Sequence, residues 1–189
     1  MAPNQTSDGK SRKGVERVGE DELVPLREAR LQVETAITRI ALLHLAYSKM
    51  LVEEFGSERG KDLILKSILQ YGRLIGERTK RGVLDYPSAK YGAYVERENG
   101  RIYDCVLGRI FREYRELDVG GLYCYVDPAK IMAFDLSRKL IHNDCVAFGD
   151  EYCTFAELPT TEKEQSDFAN AHSDWKCVDP RLAQGTKHP

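Results

Sequence analysis

Three short phrases in the second half of the chain place cysteines beside residue types that could do chemistry: YDCVLG, LYCYVD and GDEYCTF. Their cysteines are Cys105, Cys124 and Cys153. A cysteine in such a place can be a small buried hydrophobe, a metal ligand or a nucleophile. Because the chain has no C-x-x-C, H-E-x-x-H or H-x-x-x-H motif, spacing alone does not choose between these roles. If zinc is present, the candidate ligands are Cys105, Cys124, Cys153 and His142.

A catalytic thiolate would need a base, a cation or a helix N-terminus close by. Of the four histidines, His44 falls on the apolar face of a predicted long helix, which is typical of a core or interface histidine. His142 lies on a predicted strand and is the better candidate for a base, although an exposed strand residue fits the same pattern. Cys105 directly precedes a predicted helix and therefore has the most favourable local field of the cysteines.

Two aspartates fall where helices are predicted to begin. Asp104 stands ahead of one helix, and Asp127 is followed by Pro128, which is typical of an N-cap with proline at the first helical position. A cap is the simplest role for each, but a cap is also a positioned carboxylate. Cys124 and Asp127 would share one side only if the segment between them is helical, so the role of this pair stays open.

The elements that would position these residues form an α+β pattern. Apolar residues at helical spacing predict two long helices, over about 24–55 and 57–80, paired as an antiparallel hairpin. The period then changes to two, and turn signals at Asn99-Gly100 and Gly149-Asp150 predict two β-hairpins. We therefore expect a long helical hairpin packed on an antiparallel β-sheet, with short additional helices. The first helix is apolar on more than one side, which favours a homo-oligomer.

Two-residue loops would fix the strand pairing in both hairpins. In the first hairpin, Glu98 would face Arg101. In the second, His142 would oppose Glu157 and Val146 would oppose Cys153, which leaves Cys145 on the other face; a three-residue loop would reverse the face of Cys145.

The length of the chain, 189 residues, suits one domain with tails. Residues 1–22 alternate charges with Gly and Ser and are expected to form a flexible N-terminal arm. Residues 23–158 would form a single α+β domain. Residues 159–189 read as a polar C-terminal tail with little regular structure, although Phe168 and Trp175 could dock on the body.

Composition excludes several classes of partner. With 28 basic and 30 acidic residues and no basic window, nucleic acid is not an expected partner. The longest apolar run, IALLHLAY, is far shorter than the roughly 20 residues that a membrane span needs. The first residues contain no apolar signal region, so we expect a cytoplasmic protein with reduced cysteines.

Read together and in order, the phrases EEFG, YGRLIGER, YDCVLGRIFREY, LYCYVD, AFD and GDEYCTF resemble the L-2-amino-thiazoline-4-carboxylic acid hydrolase family. The resemblance spans about residues 27–158. It implies a hydrolase that opens a small cyclic amidine or thiazoline ring by adding water to the C=N carbon, giving an N-carbamoyl-cysteine from 2-amino-thiazoline-4-carboxylate. The chain departs from the family at His142-Asn143, where an Arg-Thr pair is usual, and at Cys145, where a hydroxyl residue is common. The resemblance therefore supports the hydrolase class better than one particular substrate.

In that interpretation Asp127 is the base or the residue that orients water, and Cys124 and Cys105 line the catalytic site. The residues expected to contact the small-molecule substrate are His142, Cys153, Asp104 and Tyr123. Whether a cysteine attacks covalently, or cysteines hold zinc that activates the water, stays open. The alternative is a non-catalytic small-molecule binding or sensing module, because the closing phrase also resembles that of 4-vinyl-reductase-type domains.

Overall fold

The computed structural model describes residues 24–82, 97–98 and 100–185. The predicted flexible arm at residues 1–22 lies outside this part of the chain. The described α-helices are α1 (Leu26–Phe55), α2 (Ser57–Lys80), α3 (Val106–Glu113), α4 (Leu117–Gly120), α5 (Val126–Phe134), α6 (Glu162–Ala169) and α7 (Pro180–Ala183). The strands are β1 (Arg97–Glu98), β2 (Arg101–Ile102), β3 (Arg138–Asp144) and β4 (Thr154–Pro159). Short 3₁₀ helices cover Gly121–Tyr125, Val146–Phe148 and Ser173–Val178.

The two long helices are joined by a single residue, Gly56, whose φ of +77° lies in the left-handed region that favours glycine. The helices are in close contact just after this turn. A Cβ atom on Gly60 would lie 2.7 Å from Cα of Val52, so only glycine permits the contact. The predicted helical hairpin is therefore confirmed, with the expected boundary near Gly56.

Helix α2 packs along α5, and α5 in turn packs against β3. The α2–α5 contact depends on two glycines one turn apart, Gly72 and Gly76. A Cβ atom on Gly76 would lie 2.6 Å from Cβ of Ala133, and one on Gly72 would collide with Ala129. This close contact fixes α5, and with it the side chains at the start of α5, between the helical hairpin and the sheet.

The strands form antiparallel pairs, β1 with β2 and β3 with β4, and the predicted α+β class is confirmed. In the first hairpin Glu98 pairs with Arg101, as the Asn99-Gly100 turn predicts. A bridge between Ile102 and Cys153 connects the two pairs. Cys153 therefore lies where the second hairpin meets the first.

The predicted register of the second hairpin is wrong. His142 pairs with Phe155, not with Glu157, because the connection between β3 and β4 is longer than the two residues at Gly149-Asp150. It includes the 3₁₀ turn Val146–Phe148, and Gly149 ends this turn with a φ of +95°. The register also shifts between His142 and Asp144, which rotates the end of β3 relative to a regular strand.

The expectation of little regular structure beyond residue 159 is also wrong. Helix α6 begins with a capping box in which Thr161 accepts from the Glu164 backbone and the Glu164 side chain accepts from the Thr161 backbone. As predicted, Phe168 and Trp175 dock on the body: both are buried, and the rings of Trp175 and Tyr125 form a T-shaped pair with their centroids 5.6 Å apart. A few buried apolar residues thus attach a segment whose sequence is mostly polar.

Among the described residues, we find no helix with the length and apolar character required to cross a membrane.

Candidate metal and catalytic centre

Three potential ligand side chains converge at one buried point. They are Cys124, in the 3₁₀ helix that leads into α5, His142, in β3, and Cys145, directly after β3. One ligand atom from each lies within 4.8 Å of the other two, and all three residues are buried. The Sγ atoms of Cys124 and Cys145 are 3.6 Å apart. With Asp127, described below, we call this group the centre.

The imidazole of His142 is oriented from behind by Asp179. Oδ2 of Asp179 lies 2.8 Å from Nδ1 of His142 and accepts a 2.9 Å hydrogen bond from the His142 backbone N–H. Both side chains are buried, His142 at 2% exposure and Asp179 at 0%. Because Nδ1–H donates its hydrogen bond to this carboxylate, Nε2 is the nitrogen that faces the centre.

Asp127 lies on the opposite side of the His142 ring. Its Oδ2 is 3.5 Å from Nε2 of His142, and its other oxygen forms an ion pair with Lys130. Burial would raise the pKa of Asp127, but the charge of Lys130 and the contact with His142 outweigh burial and hold this pKa well below its ordinary value. Asp127 is therefore an ionised hydrogen-bond acceptor. Its side chain is 21% exposed, which makes it the part of the centre nearest to solvent.

The helical path of the chain explains the spacing of Cys124 and Asp127. The 3₁₀ helix Gly121–Tyr125 runs directly into α5, so residues three apart fall on one side. Asp127 lies in the first turn of α5 and is not its N-cap, which is Tyr125. The carboxylate is thus directed to Lys130 and His142 and not to the helix backbone.

Two further cysteines, Cys153 and Cys105, extend the cluster of thiols beyond the centre. The thiol of Cys153 interacts with those of Cys145 and Cys105, and its sulfur also accepts a 3.2 Å hydrogen bond from the Val146 backbone. Hydrogen bonds among the four thiols raise some pKa values and lower others, whereas burial raises all of them. The result is a pKa above the ordinary value for every one, with that of Cys153 at about 12. In the metal-free protein these cysteines are therefore thiols at neutral pH.

His142, unlike the thiols, has a pKa shift that favours its charged form. Burial would lower its pKa, but the hydrogen bonds and charges of Asp127 and Asp179 outweigh burial and raise this pKa to about 9. A cation bound between Nε2 and the two sulfurs would take the place of the protons that these groups hold.

The separation of the two sulfur atoms fits a tetrahedral zinc ion. With Zn–S bonds of about 2.3 Å, two sulfur ligands lie roughly 3.8 Å apart, close to the separation of the two sulfurs here. A carboxylate behind a histidine ligand is the usual second-shell partner in such sites, and Asp179 supplies it. Two thiolates and an imidazole are a donor set that zinc accepts, and the carboxylate of Asp127 lies beside the fourth position.

The structure separates the predicted site residues into two groups. Cys124, Asp127 and His142 come together at the centre, with Cys153 and then Cys105 extending from it. Asp104 does not belong to it: its side chain is 63% exposed and pairs with Arg109 at 3.3 Å. Cys177, which the tail carries, is exposed.

Tyr123 points to a different place from its neighbour Cys124. The centroid of its ring lies 5.3 Å from that of His44 and 6.1 Å from that of Tyr71. Tyr123 lines an apolar groove of about 500 Å³ between α1 and α2. His44 lines the same groove, and its Nε2 lies 3.0 Å from the carbonyl oxygen of Val119. His44 is therefore a hydrogen-bonded histidine of the kind that its position on an apolar helix face predicts.

Sequence reasoning missed two residues of this region. A regular strand register does not predict the position of Cys145, because it cannot show the bulge after His142. Asp179 was assigned to a tail without structure. The Asp179-Pro180 pair is itself a helix-start signal of the kind recognised at Asp127-Pro128, so the sequence did contain a clue to its position.

Comparison of the chain with protein-family models, with curated proteins and with solved structures gave no match.

Proposed function

We propose that the chain is a zinc-holding hydrolase that opens a small cyclic amidine or thiazoline ring. The observation that carries the proposal is the convergence of Cys124, His142 and Cys145 on one point, with the ionised Asp127 on the side nearest to solvent. Three protein ligands with a fourth position beside a carboxylate are the pattern of catalytic zinc sites, whereas purely structural sites are closed by four protein ligands. The family resemblance of the sequence supplies the substrate class.

The reaction balances with water as the only co-reactant. The water oxygen bonds to the ring carbon of the C=N group, and one proton goes to the ring nitrogen. The bond from that carbon to sulfur then breaks, the remaining hydroxyl proton passes to the sulfur, and the former water oxygen becomes a carbonyl. For 2-amino-thiazoline-4-carboxylate the product is an N-carbamoyl-cysteine.

The residues of the centre divide this work. Cys124, His142 and Cys145 would hold zinc, which acts as a Lewis acid and lowers the pKa of water to about 7 in such sites. Asp127 accepts a hydrogen bond from the water and orients it, a role that its low pKa favours over strong basicity. Lys130 keeps Asp127 ionised and fixes its carboxylate. The raised pKa values of the thiols argue against a cysteine nucleophile, because the thiol form does not attack.

Replacement of Asp127 by Asn tests the proposal. The substitution keeps the shape of the side chain but removes its charge, so turnover of 2-amino-thiazoline-4-carboxylate by the zinc-loaded protein should fall by about 10²–10⁴-fold while zinc content is retained. Asp104→Asn is the matched control, because Asp104 is an exposed aspartate away from the centre. Near-native turnover by Asp127→Asn, or no turnover of any thiazoline or cyclic amidine by the unmodified zinc-loaded chain, would contradict the proposal.

A binding or sensing module is the second candidate, and the apolar groove between α1 and α2 favours it. The groove has the size and mostly apolar lining of a small-molecule site, and His44 and Tyr123 are among the polar residues that line it. A compound that raises the melting temperature, is never turned over and binds Asp127→Asn as tightly as the unmodified chain would favour this candidate over the hydrolase.

A further inference from the structure

The turn at residues 179–182 contacts the centre through the buried carboxylate of Asp179. Oδ1 of Asp179 accepts hydrogen bonds from the backbone N–H groups of Arg181 and Leu182, both at 3.1 Å, and so caps α7. Oδ2 is directed away from that helix and holds both the backbone and the ring of His142. One side chain therefore joins the start of α7 to the ligand-bearing strand.

A second contact runs from the same turn to the loop that carries Cys145. Arg181 is buried, and its Nε donates to Oδ2 of Asp150 at 2.8 Å while Nη2 donates to the carbonyl of Phe148 at 3.1 Å. The same Oδ2 of Asp150 accepts a 2.8 Å hydrogen bond from the backbone N–H of Cys145. Arg181 and the backbone of Cys145, a candidate ligand, thus bind the same oxygen of Asp150.

The planar guanidinium matters here, since its Nε and Nη2 protons point to two different acceptors on one loop. A lysine ammonium carries the same charge but cannot present two donors at a fixed angle. The connection between β3 and β4 is irregular and is not held by ladder hydrogen bonds over its 3₁₀ turn. External contacts therefore contribute to the position of Cys145.

We propose that Asp179 and Arg181 are positioning residues of the centre: the turn at residues 179–182 sets the orientation of the His142 ring and the position of the Cys145 loop. The inference rests on the proposed centre, but it concerns residues that touch neither substrate nor metal. It assigns a role in ligand geometry to the segment that the sequence presents as a polar tail.

The test compares Asp179→Asn, Arg181→Lys and Arg181→Met with the unmodified chain, and uses Arg138→Met as the matched control. Arg138 is a half-exposed arginine of β3 that pairs with Glu157 on the surface. Zinc affinity is measured by competition with a chromophoric chelator, and the ligand geometry is read from the visible spectrum of the cobalt-substituted protein. The rate at which Cys145 reacts with a thiol reagent is measured on the metal-free protein, by peptide mass analysis.

Asp179→Asn and Arg181→Met should each weaken zinc binding by about 10–100-fold, the usual effect of losing an outer-shell partner. Both should change the cobalt spectrum, and Arg181→Met should speed labelling of Cys145 by at least about tenfold. The labelling rate of Arg181→Lys should lie between those of the unmodified chain and Arg181→Met, because lysine replaces only part of the guanidinium fork. Arg138→Met should change none of these readings.

Unchanged cobalt spectra, zinc affinities and Cys145 labelling rates in folded variants would overturn the inference, and so would a lower melting temperature as the sole effect. If Arg181→Met does not fold, Arg181→Lys and Asp179→Asn carry the same test. Failure of the unmodified chain to bind zinc would instead remove the proposed function. Cys145 labelling, together with the nitrogen chemical shifts of the His142 ring in Asp179→Asn, would then decide the positioning roles in the metal-free protein: changed readings support them and unchanged readings overturn them.

Discussion

The sulfur atoms of Cys124 and Cys145 lie 3.6 Å apart, although one cysteine is in the 3₁₀ helix before α5 and the other follows β3. Packing of α5 against β3 brings these two segments together. The pair is the most direct indication of a metal site in the described part of the chain, because His142 completes a set of three ligand atoms around it.

The metal content of cysteine variants should follow this geometry. We expect about one zinc per chain in protein purified without chelators, and a loss of most of it in Cys124→Ser and Cys145→Ser, because a serine hydroxyl is a poor substitute for a thiolate ligand. Elemental analysis by mass spectrometry measures this. Cys177→Ser is the control, since Cys177 is exposed. Full zinc content in both Cys124→Ser and Cys145→Ser would show that these cysteines do not bind the metal.

The contact between α2 and α5 should be sensitive to a single methyl group. Gly72→Ala places a Cβ against Ala129, and the resulting overpacking should lower the free energy of unfolding by about 1–3 kcal/mol. Because α5 carries Asp127, the same variant should also lower turnover. Urea denaturation measures the stability change. Gln70→Ala, at an exposed position of the same helix, should stay within about 0.5 kcal/mol of the unmodified chain.

The capping box of α6 should contribute measurably to stability. Thr161→Ala removes the hydroxyl that accepts from the Glu164 backbone and should lower the free energy of unfolding by about 0.5–2 kcal/mol. Thr161→Ser keeps the hydroxyl and should retain most of that stability. Thermal and urea unfolding of the two variants make the comparison. Equal destabilisation by Ala and Ser would mean that loss of the methyl group, and not of the cap, is responsible.

His44 should make the metal-free protein less stable in mild acid. Burial lowers the pKa of His44 and outweighs the raising effect of its backbone hydrogen bonds, so the unfolded chain binds a proton more readily than the folded one. The free energy of unfolding should therefore fall as the pH drops below about 6.5. In His44→Gln, which keeps a donor for Val119 but does not titrate, this fall should be smaller.

His142 changes the free energy of unfolding with pH in the opposite direction from His44. The contribution of His44 is therefore measured by comparison with His44→Gln. The pKa of His142 is raised to about 9, so its stabilising contribution is fully present below pH 6.5 and is lost as the pH rises through about 9. The difference between the two proteins isolates His44. An identical pH dependence in the unmodified chain and His44→Gln would contradict the assigned shift.

Elements with local sequence signals could be predicted before the structure was known. Helical periodicity identified α1 and α2, and Asn99-Gly100 predicted both the first hairpin and the pairing of Glu98 with Arg101. Cys124, Asp127 and His142 could also be selected from their residue types and neighbours. Each of these inferences depends on interactions within a few residues, and such interactions are present in the sequence order itself.

Which of these residues meet depends on tertiary packing. The bulge after His142 and the 3₁₀ turn that follows it brought Cys145 into the centre, and no periodic pattern encodes such an irregularity. Asp179 reaches His142 across 37 residues because the apolar side chains of the C-terminal segment dock on the body. Long-range packing thus assembled the site from residues that lie far apart in the sequence. The free energy of burying apolar surface depends on the area buried and not on the separation of the residues along the chain.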